Sequence, residues 1–528
     1  MTNPGKETET RKFPINAAAS VIADISAGIY RTPAGSLKEL VSNAFDADAN
    51  KVHVSTNAPH FGTFTCSDDG NGMTPEQFEQ IMGLIGGSSK RDHGEVSLIH
   101  KRPLVGRIGI GILSIGQICR RFEVFSSTKG SPIKFRAKIN LEPYMRPEAR
   151  RIQISKPLAG NEEVKIGQCE METAPEDPDK HYTRVVMESI IPGFRQQLQS
   201  YPMDEMGVTP KKFKKGDMEA FLRSVSHDTV SEHGAYAQLI WELASTTPVR
   251  YLPEGPIRSA SALNDLRKRM ESFKFSVFLD GVELFKPLLL PLSSTTDFKL
   301  YPNLDFTKTL SDKRTLRVRG YIYWQQSRIL PRELQGILVR VRNVGIGAFD
   351  PTYLKYPKHE GWKFSQLCGE LYVDDGLDEA INIDRASFRE SDEAYLSLQE
   401  FLFQRLGKKT DEGAGIFTSI KAMAKRVADR KKQKEHRRRA SETASAIFGS
   451  PGPMTLETVT PQAATPAGVR LTRKSLVVDE ELVASVPSRH RDLFMGICGV
   501  VEKTIGDKVP SSLRRDLLQR IAKLFEIN

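Results

Sequence analysis

Residues 37–56 read LKELVSNAFDADANKVHVST, and the hydrophobic period changes midway through them. Leu37, Leu40, Val41 and Ala44 recur at helical spacing and make one apolar face, whereas KVHVST alternates as a half-buried strand does. Glu39 and Asn43 stand four apart and share one helical face, with Asp46 one further turn along. A carboxylate and an amide one turn apart suit a hydrolytic phosphate site. The amide oxygen can ligate Mg²⁺, and the carboxylate can orient and deprotonate a water beside it. Taken alone, the same face would serve equally as a solvated helix surface.

Two glycine-bearing segments follow. CSDDGNGM (66–73) comes after the strand-like FGTFTCS and supplies Asp68, Gly70 and Gly72. Closely spaced glycines let the backbone turn sharply and approach a flat ligand, and Asp68 can accept a hydrogen bond from an exocyclic amine. The same letters also make a common turn. VGRIGIGILSIG (105–116) places Gly106, Gly109 and Gly111 ahead of a helix-like ILSIGQI, where backbone amides would face an anion. The G-x-x-x-x-G-K-[ST] phosphate loop occurs nowhere in the chain.

In this order and spacing, the three segments resemble the motifs of the GHKL ATPase superfamily, which comprises gyrase, the ninety-kilodalton heat-shock chaperones, histidine kinases and MutL. ELVSNAFDADA looks like the first motif in its MutL, MORC and chaperone form, DDGNGM like the second, and GRIGIG like the third. The resemblance implies a Bergerat-type α/β sandwich that binds ATP and Mg²⁺. It gives Glu39 the part of general base, Asn43 that of Mg²⁺ ligand and Asp68 that of adenine-reading carboxylate. Asp46 would join the nucleotide site, Gly70, Gly72 and Met73 would line the base pocket, and Gly106, Gly109 and Gly111 would form the phosphate loop. HYTRVVMESI (181–190) offers Thr183 beside the adenine aspartate. Residues 83–105 fall where the superfamily carries its ATP lid, and Lys90 and Arg91 could reach phosphate there, although a solvated face is the plainer reading.

GELYVDDGLDEAINIDRASFRES (369–391) resembles the end of the chaperones' middle segment, which implies that Arg385 reaches the γ-phosphate from a second domain. A local ion pair with Asp384 or Glu390 is the alternative. Arg340 and Arg342 alternate along GILVRVRNVGIG (336–347) and are expected to face solvent.

The chain has 528 residues, 39% hydrophobic and 27% charged, which is ordinary globular composition and enough for several domains. Its net charge of +11 is concentrated: residues 421–439 hold ten Lys or Arg against two acids, so the rest is close to neutral. Five scattered cysteines without a C-x-x-C pair argue for free thiols and against zinc. The absence of an apolar run of ~20 residues, and an N-terminus without a signal-peptide pattern, give the expectation of a cytoplasmic protein that does not enter a membrane.

The expected organisation is α+β: an ATP-binding domain over 13–254, a transducer-like α+β domain over 255–408, a basic helix over 409–440, a linker over 441–475 and a small helical domain over 476–528. The first histidine, His53, lies past the first motif, which argues against a histidine-kinase arrangement. The remaining reading is an ATP-hydrolysing, homodimeric clamp acting on a protein client, as chaperones do, or on nucleic acid through 421–439. A nucleotide-switched scaffold with little turnover, part of a bacterial defence or stress complex, is the alternative.

Overall fold

The computed structural model of the chain describes residues 32–83, 96–105, 111–142, 167–200, 217–225, 229–252, 261–288, 298–358, 360–382, 384–407, 414–448, 455–459, 470–471, 475–505 and 508–525. The chain divides into two compact units, Met1–Phe417 and Thr418–Asn528.

In the first unit the opening helix α1, Pro33–Asp46, begins where the sequence supplies both a cap and a starter. The Thr32 hydroxyl accepts from the Gly35 amide at 3.2 Å, and Pro33 occupies the first turn, where no amide hydrogen is needed. Its apolar face is buried as the spacing predicts: Leu37 and Val41 are fully covered, and Leu40 and Ala44 nearly so. Each such large side chain contributes about 1.5–3 kcal/mol of burial.

The helix lies with an eight-stranded sheet ordered β5-β4-β3-β6-β2-β1-β7-β8. Its strands are β1 (Lys51–Ser55), β2 (Thr63–Asp68), β3 (Cys119–Ser127), β4 (Ile133–Asn140), β5 (Gln168–Pro175), β6 (Tyr182–Ile190), β7 (Ser276–Leu279) and β8 (Val282–Glu283). Strand β1 keeps the alternation read from KVHVS, with Val52 and Val54 inward. Its other neighbour was not legible. FKFSVFLDGVELF, placed with the second domain on sequence, instead supplies β7 and β8, and β7 pairs in parallel with β1 at Val52↔Val277. The first sheet therefore reaches past residue 254. Parallel partners are joined by long crossovers, so a local strand pattern cannot say which sheet it enters.

A second sheet contains β9 (Phe298–Tyr301), β10 (Phe306–Thr309), β11 (Thr315–Gln325), β12 (Gly336–Val341), β13 (Val344–Gly345) and β14 (Leu367–Asp375). The order is β10-β11-β14-β12-β13, with β9 paired to β11. Here the solvent-facing expectation for Arg340 and Arg342 is corrected: they are only 1% and 4% exposed. Every residue of β12 is buried, because the strand is covered on both faces, and alternation then carries no inside–outside meaning. Arg340 pairs with Glu370 of β14, which also accepts from the hydroxyls of Tyr251 and Tyr321.

The helix Ile416–Phe448 starts in the first unit, where Phe417 meets the rings of Tyr353, Tyr356 and Phe364. In the second unit, the stretch expected as a linker carries the end of that helix and the strands Thr455–Val459 and Arg470–Leu471, both paired with Ser475–Asp479. The α-helices Glu480–Ser485, Arg491–Ile505 and Ser511–Leu524 follow among the described residues. Their core includes Phe494, Cys498, Leu518 and Ala522, while Leu493, Leu517 and Leu524 are exposed.

Candidate nucleotide site

Helix α1 carries Glu39 and Asn43 on one face, as their spacing requires. Glu39 is buried at 4% exposure and Asn43 is half-buried. Arg385 arrives from the loop after β14. Its Nη1 stands 3.2 Å from both carboxylate oxygens of Glu39, and its Nη2 donates to the Val105 carbonyl at 2.6 Å. Of the two carboxylates named as local partners, Glu390 pairs with Lys355, and Asp384 accepts from the Ala386 amide and the Ser387 hydroxyl.

At the other end of the site, Asp68 closes β2 and sits opposite Thr183 of β6 in the antiparallel register. Its Oδ1 accepts from the Gly70 amide at 2.9 Å. Burial pushes the Asp68 carboxyl up to about 7, against the Gly70 and Thr183 amides, which favour the charged form. The glycines are sterically required. A side chain at Gly72, whose φ is +68°, would place Cβ 2.0 Å from the Ser127 carbonyl oxygen, and one at Gly70 would come within 2.8 Å of the Ala47 oxygen. Met73 is partly buried, and its amide donates to the Ser126 hydroxyl at 2.9 Å. Ser126 in turn donates to the Tyr182 carbonyl at 2.7 Å and lies 3.2 Å from the Thr183 hydroxyl.

Lys90, Arg91, Gly106 and Gly109 lie outside the described residues. Gly111 opens a 3₁₀ helix, Gly111–Gln117, rather than an α-helix. The Ser36 hydroxyl donates to the Ser114 carbonyl at 2.6 Å and joins this segment to α1. Asp46 accepts the Val105 amide at 2.7 Å and so pins the backbone directly before Gly106.

Four contributors were missed in the sequence. Asp48, in the left-handed region at φ +62°, accepts from the Ser97 hydroxyl and from the amides of Ile99 and His100. Burial opposes its charge, yet those donors hold the carboxyl below its ordinary range. Arg102 is fully buried, donating to the carbonyls of Ala49 and Phe273 and stacking its guanidinium 4.9 Å from the Phe45 ring. Ser126 is the hub just described. Lys38, beside Glu39, is buried and bonded to carbonyls of the second-sheet region. The only signal for Asp48 was its place after a helix, where aspartate tolerates positive φ. The other three depend on contacts far along the chain.

Residues 30–161 match the family model described as "Histidine kinase-, DNA gyrase B-, and HSP90-like ATPase". Over 110 residues the chain is 41% identical to the DNA mismatch repair protein MutL of Chelativorans sp. (strain BNC1), covering 20% of this chain and 17% of that protein. A MutL of Treponema pallidum (strain Nichols) is 30% identical over 127 residues, 24% of this chain and 20% of that one. The putative type II restriction enzyme HgiDII of Herpetosiphon aurantiacus is 30% identical over 123 residues, 23% and 19% of the respective chains. The matched stretch thus covers no more than 20% of those relatives' own lengths. Through the match over residues 30–161, the first domain belongs to the GHKL ATPase superfamily and is a GHKL ATPase domain of mixed α/β architecture. Among the described residues, no helix is long and apolar enough to cross a membrane.

Proposed function

We propose that the chain binds ATP with Mg²⁺ between Asp68 and Glu39 and hydrolyses its terminal anhydride, with the second domain supplying Arg385. The observation that carries this reading is the Arg385–Glu39 pair at 3.2 Å, an arginine brought across 346 positions onto the carboxylate proposed as base. The pocket's chemistry fits an adenine nucleotide. Asp68 is a half-buried carboxyl that an exocyclic amine would satisfy, and Gly70 and Gly72 keep backbone close where any Cβ would collide. Magnesium would be held by the Asn43 amide oxygen and would neutralise phosphate charge.

Glu39 takes the proton of the water whose oxygen bonds to the γ-phosphorus as the bond to the β-bridging oxygen breaks. While Arg385 rests on Glu39, that carboxylate is neutralised. An incoming triphosphate competes for the same guanidinium and frees Glu39 as it engages Arg385, so the base is released by the substrate it serves. Lid closure, second-domain docking and pairing of two protomers then make an ATP-gated clamp.

DNA is the favoured partner over a protein client. The relatives' names concern DNA repair and restriction, and residues 421–439 of the long helix carry ten Lys or Arg. That segment would bind phosphates by counterion release and, lacking interleaved aromatics, would not stack bases. Turnover of ATP with Mg²⁺, and gel shift of duplex DNA with and without ATP at rising salt, test the two halves. ATP binding and a shift without turnover would favour the scaffold reading.

A further inference from the structure

Lys38 and Glu39 are consecutive residues of α1, and they grip opposite ends of one arginine. Glu39 holds the Arg385 guanidinium, while the Lys38 ammonium donates to the Arg385 carbonyl at 3.3 Å and to the Gly345 carbonyl at 2.6 Å. The Lys38 side chain is 5% exposed, an expensive place for an ammonium without strong acceptors. Burial brings its pKa down to about 8, partly offset by the charge of Glu39. Both of its acceptors belong to the second-sheet region, 307 and 347 positions away.

The two acceptors form one bearing surface. Gly347, two residues beyond Gly345 and at φ +72°, lies so close to the Arg385 loop that a Cβ would stand 2.6 Å from the Ala386 carbonyl oxygen. Arg385 itself has φ +48°, a backbone region that a non-glycine residue keeps only where its surroundings hold it. Its carbonyl is the atom Lys38 holds.

We infer that Lys38 is a positioning residue: by bonding the Gly345 and Arg385 carbonyls together, it sets the backbone of the Arg385 loop so that the guanidinium meets Glu39 and, in turnover, the γ-phosphate. The inference rests on the ATPase reading for its kinetic consequence but not for its structural one. Lys38 touches neither phosphate nor water in this scheme. It couples the helix bearing the base to the domain bearing the arginine.

Hydrogen exchange on the nucleotide-free full chain tests it without reference to turnover. Lys38→Met keeps the apolar stem and removes the donor, and Lys38→Arg keeps a donor. Exchange across residues 381–390 should rise at least about fivefold in Lys38→Met, the loss expected for one buried charged hydrogen bond, while β1 and β2 stay at wild-type protection and Lys38→Arg stays within about twofold. Unchanged exchange in that loop, or an equal rise in β1 and β2, overturns the inference. With ATP, Lys38→Met should lower kcat at nearly constant KM, and adding it to Arg385→Ala should cost nothing further. Effects of the two substitutions that multiply would assign Lys38 a role apart from Arg385 and overturn the coupling. Failure of wild-type turnover with the exchange pattern intact would strike the ATPase reading alone.

Discussion

Arg385 and Glu39 face each other across 346 positions of sequence, with one guanidinium nitrogen 3.2 Å from both carboxylate oxygens and the other on the carbonyl of Val105. One side chain thus touches the proposed base and the backbone directly ahead of the proposed phosphate loop. On the function proposed above, it would report to the second domain whether the site is filled.

Arg385→Ala should lower kcat by about 10³-fold or more, the scale of lost arginines in other phosphoryl-transfer enzymes, with ATP affinity within a few-fold of wild type. It also leaves Glu39 buried without its counter-charge, so the variant should lose about 3 kcal/mol of stability by urea unfolding. The double variant with Glu39→Gln should recover part of that loss. Wild-type kinetics in Arg385→Ala would return the arginine to a purely structural pair.

Glu39→Ala should bind ATP and cease turnover. Calorimetry and phosphate release on one preparation separate the two effects, and turnover at the wild-type rate would remove Glu39 as the base.

Asp68 links binding to pH. An amine donor favours the ionised carboxylate, so ATP affinity should be highest above about pH 7 and fall on acidification by up to about tenfold per unit. Stability moves the other way. A carboxyl whose folded-state pKa is raised burdens the fold at high pH and is relieved as pH falls through 7 toward its unfolded value. Asp68→Asn should therefore raise Tm at pH 8, lose that advantage near pH 4, and show weak, pH-independent ATP binding. Affinity equal to wild type at pH 8 would dismiss the pocket assignment.

Gly72→Ala and Gly130→Ala form a controlled pair, since both positions have positive φ but only Gly72 has a carbonyl 2.0 Å from the added methyl. Gly130→Ala should cost about 1 kcal/mol for backbone conformation. Gly72→Ala should cost about 3 kcal/mol or more and abolish ATP binding. Equal thermal shifts in the two would show that the turn at Gly72 relaxes freely.

Replacing the ten basic residues of 421–439 by glutamine should remove salt-sensitive DNA binding and spare basal ATP turnover. Retained gel shifts with the wild-type salt slope would place the contact elsewhere.

What could be read from the sequence was local. The face of α1 follows from a 3.6-residue period, the alternation of β1 from a period of two, and Gly72 from a turn only glycine makes. The pattern around Arg385 singled it out as a candidate, but its contact with Glu39, 346 positions away, left no local mark. Lys38, Ser126 and Arg102 carry no such signature. A lysine beside a glutamate in a helix reads as a solvated pair, and it is the carbonyls of Gly345 and Arg385, more than 300 positions away, that hold this one in a buried place. Arg340 and Arg342 misled for the same reason: alternation predicts exposure only where one face of a strand meets water, and β12 has none. The parallel pairing of β7 with β1 was hidden because its crossover leaves no local mark.

On the function proposed above, a magnesium–adenine nucleotide occupies the space between Asp68 and Glu39. Calorimetric titration of the purified full chain with ATP in magnesium, run beside Asp68→Asn, tests it most directly. The wild type should give saturable heat at pH 8, greatly weakened in the variant. No heat from the folded wild type, or equal isotherms for the two proteins, would contradict it.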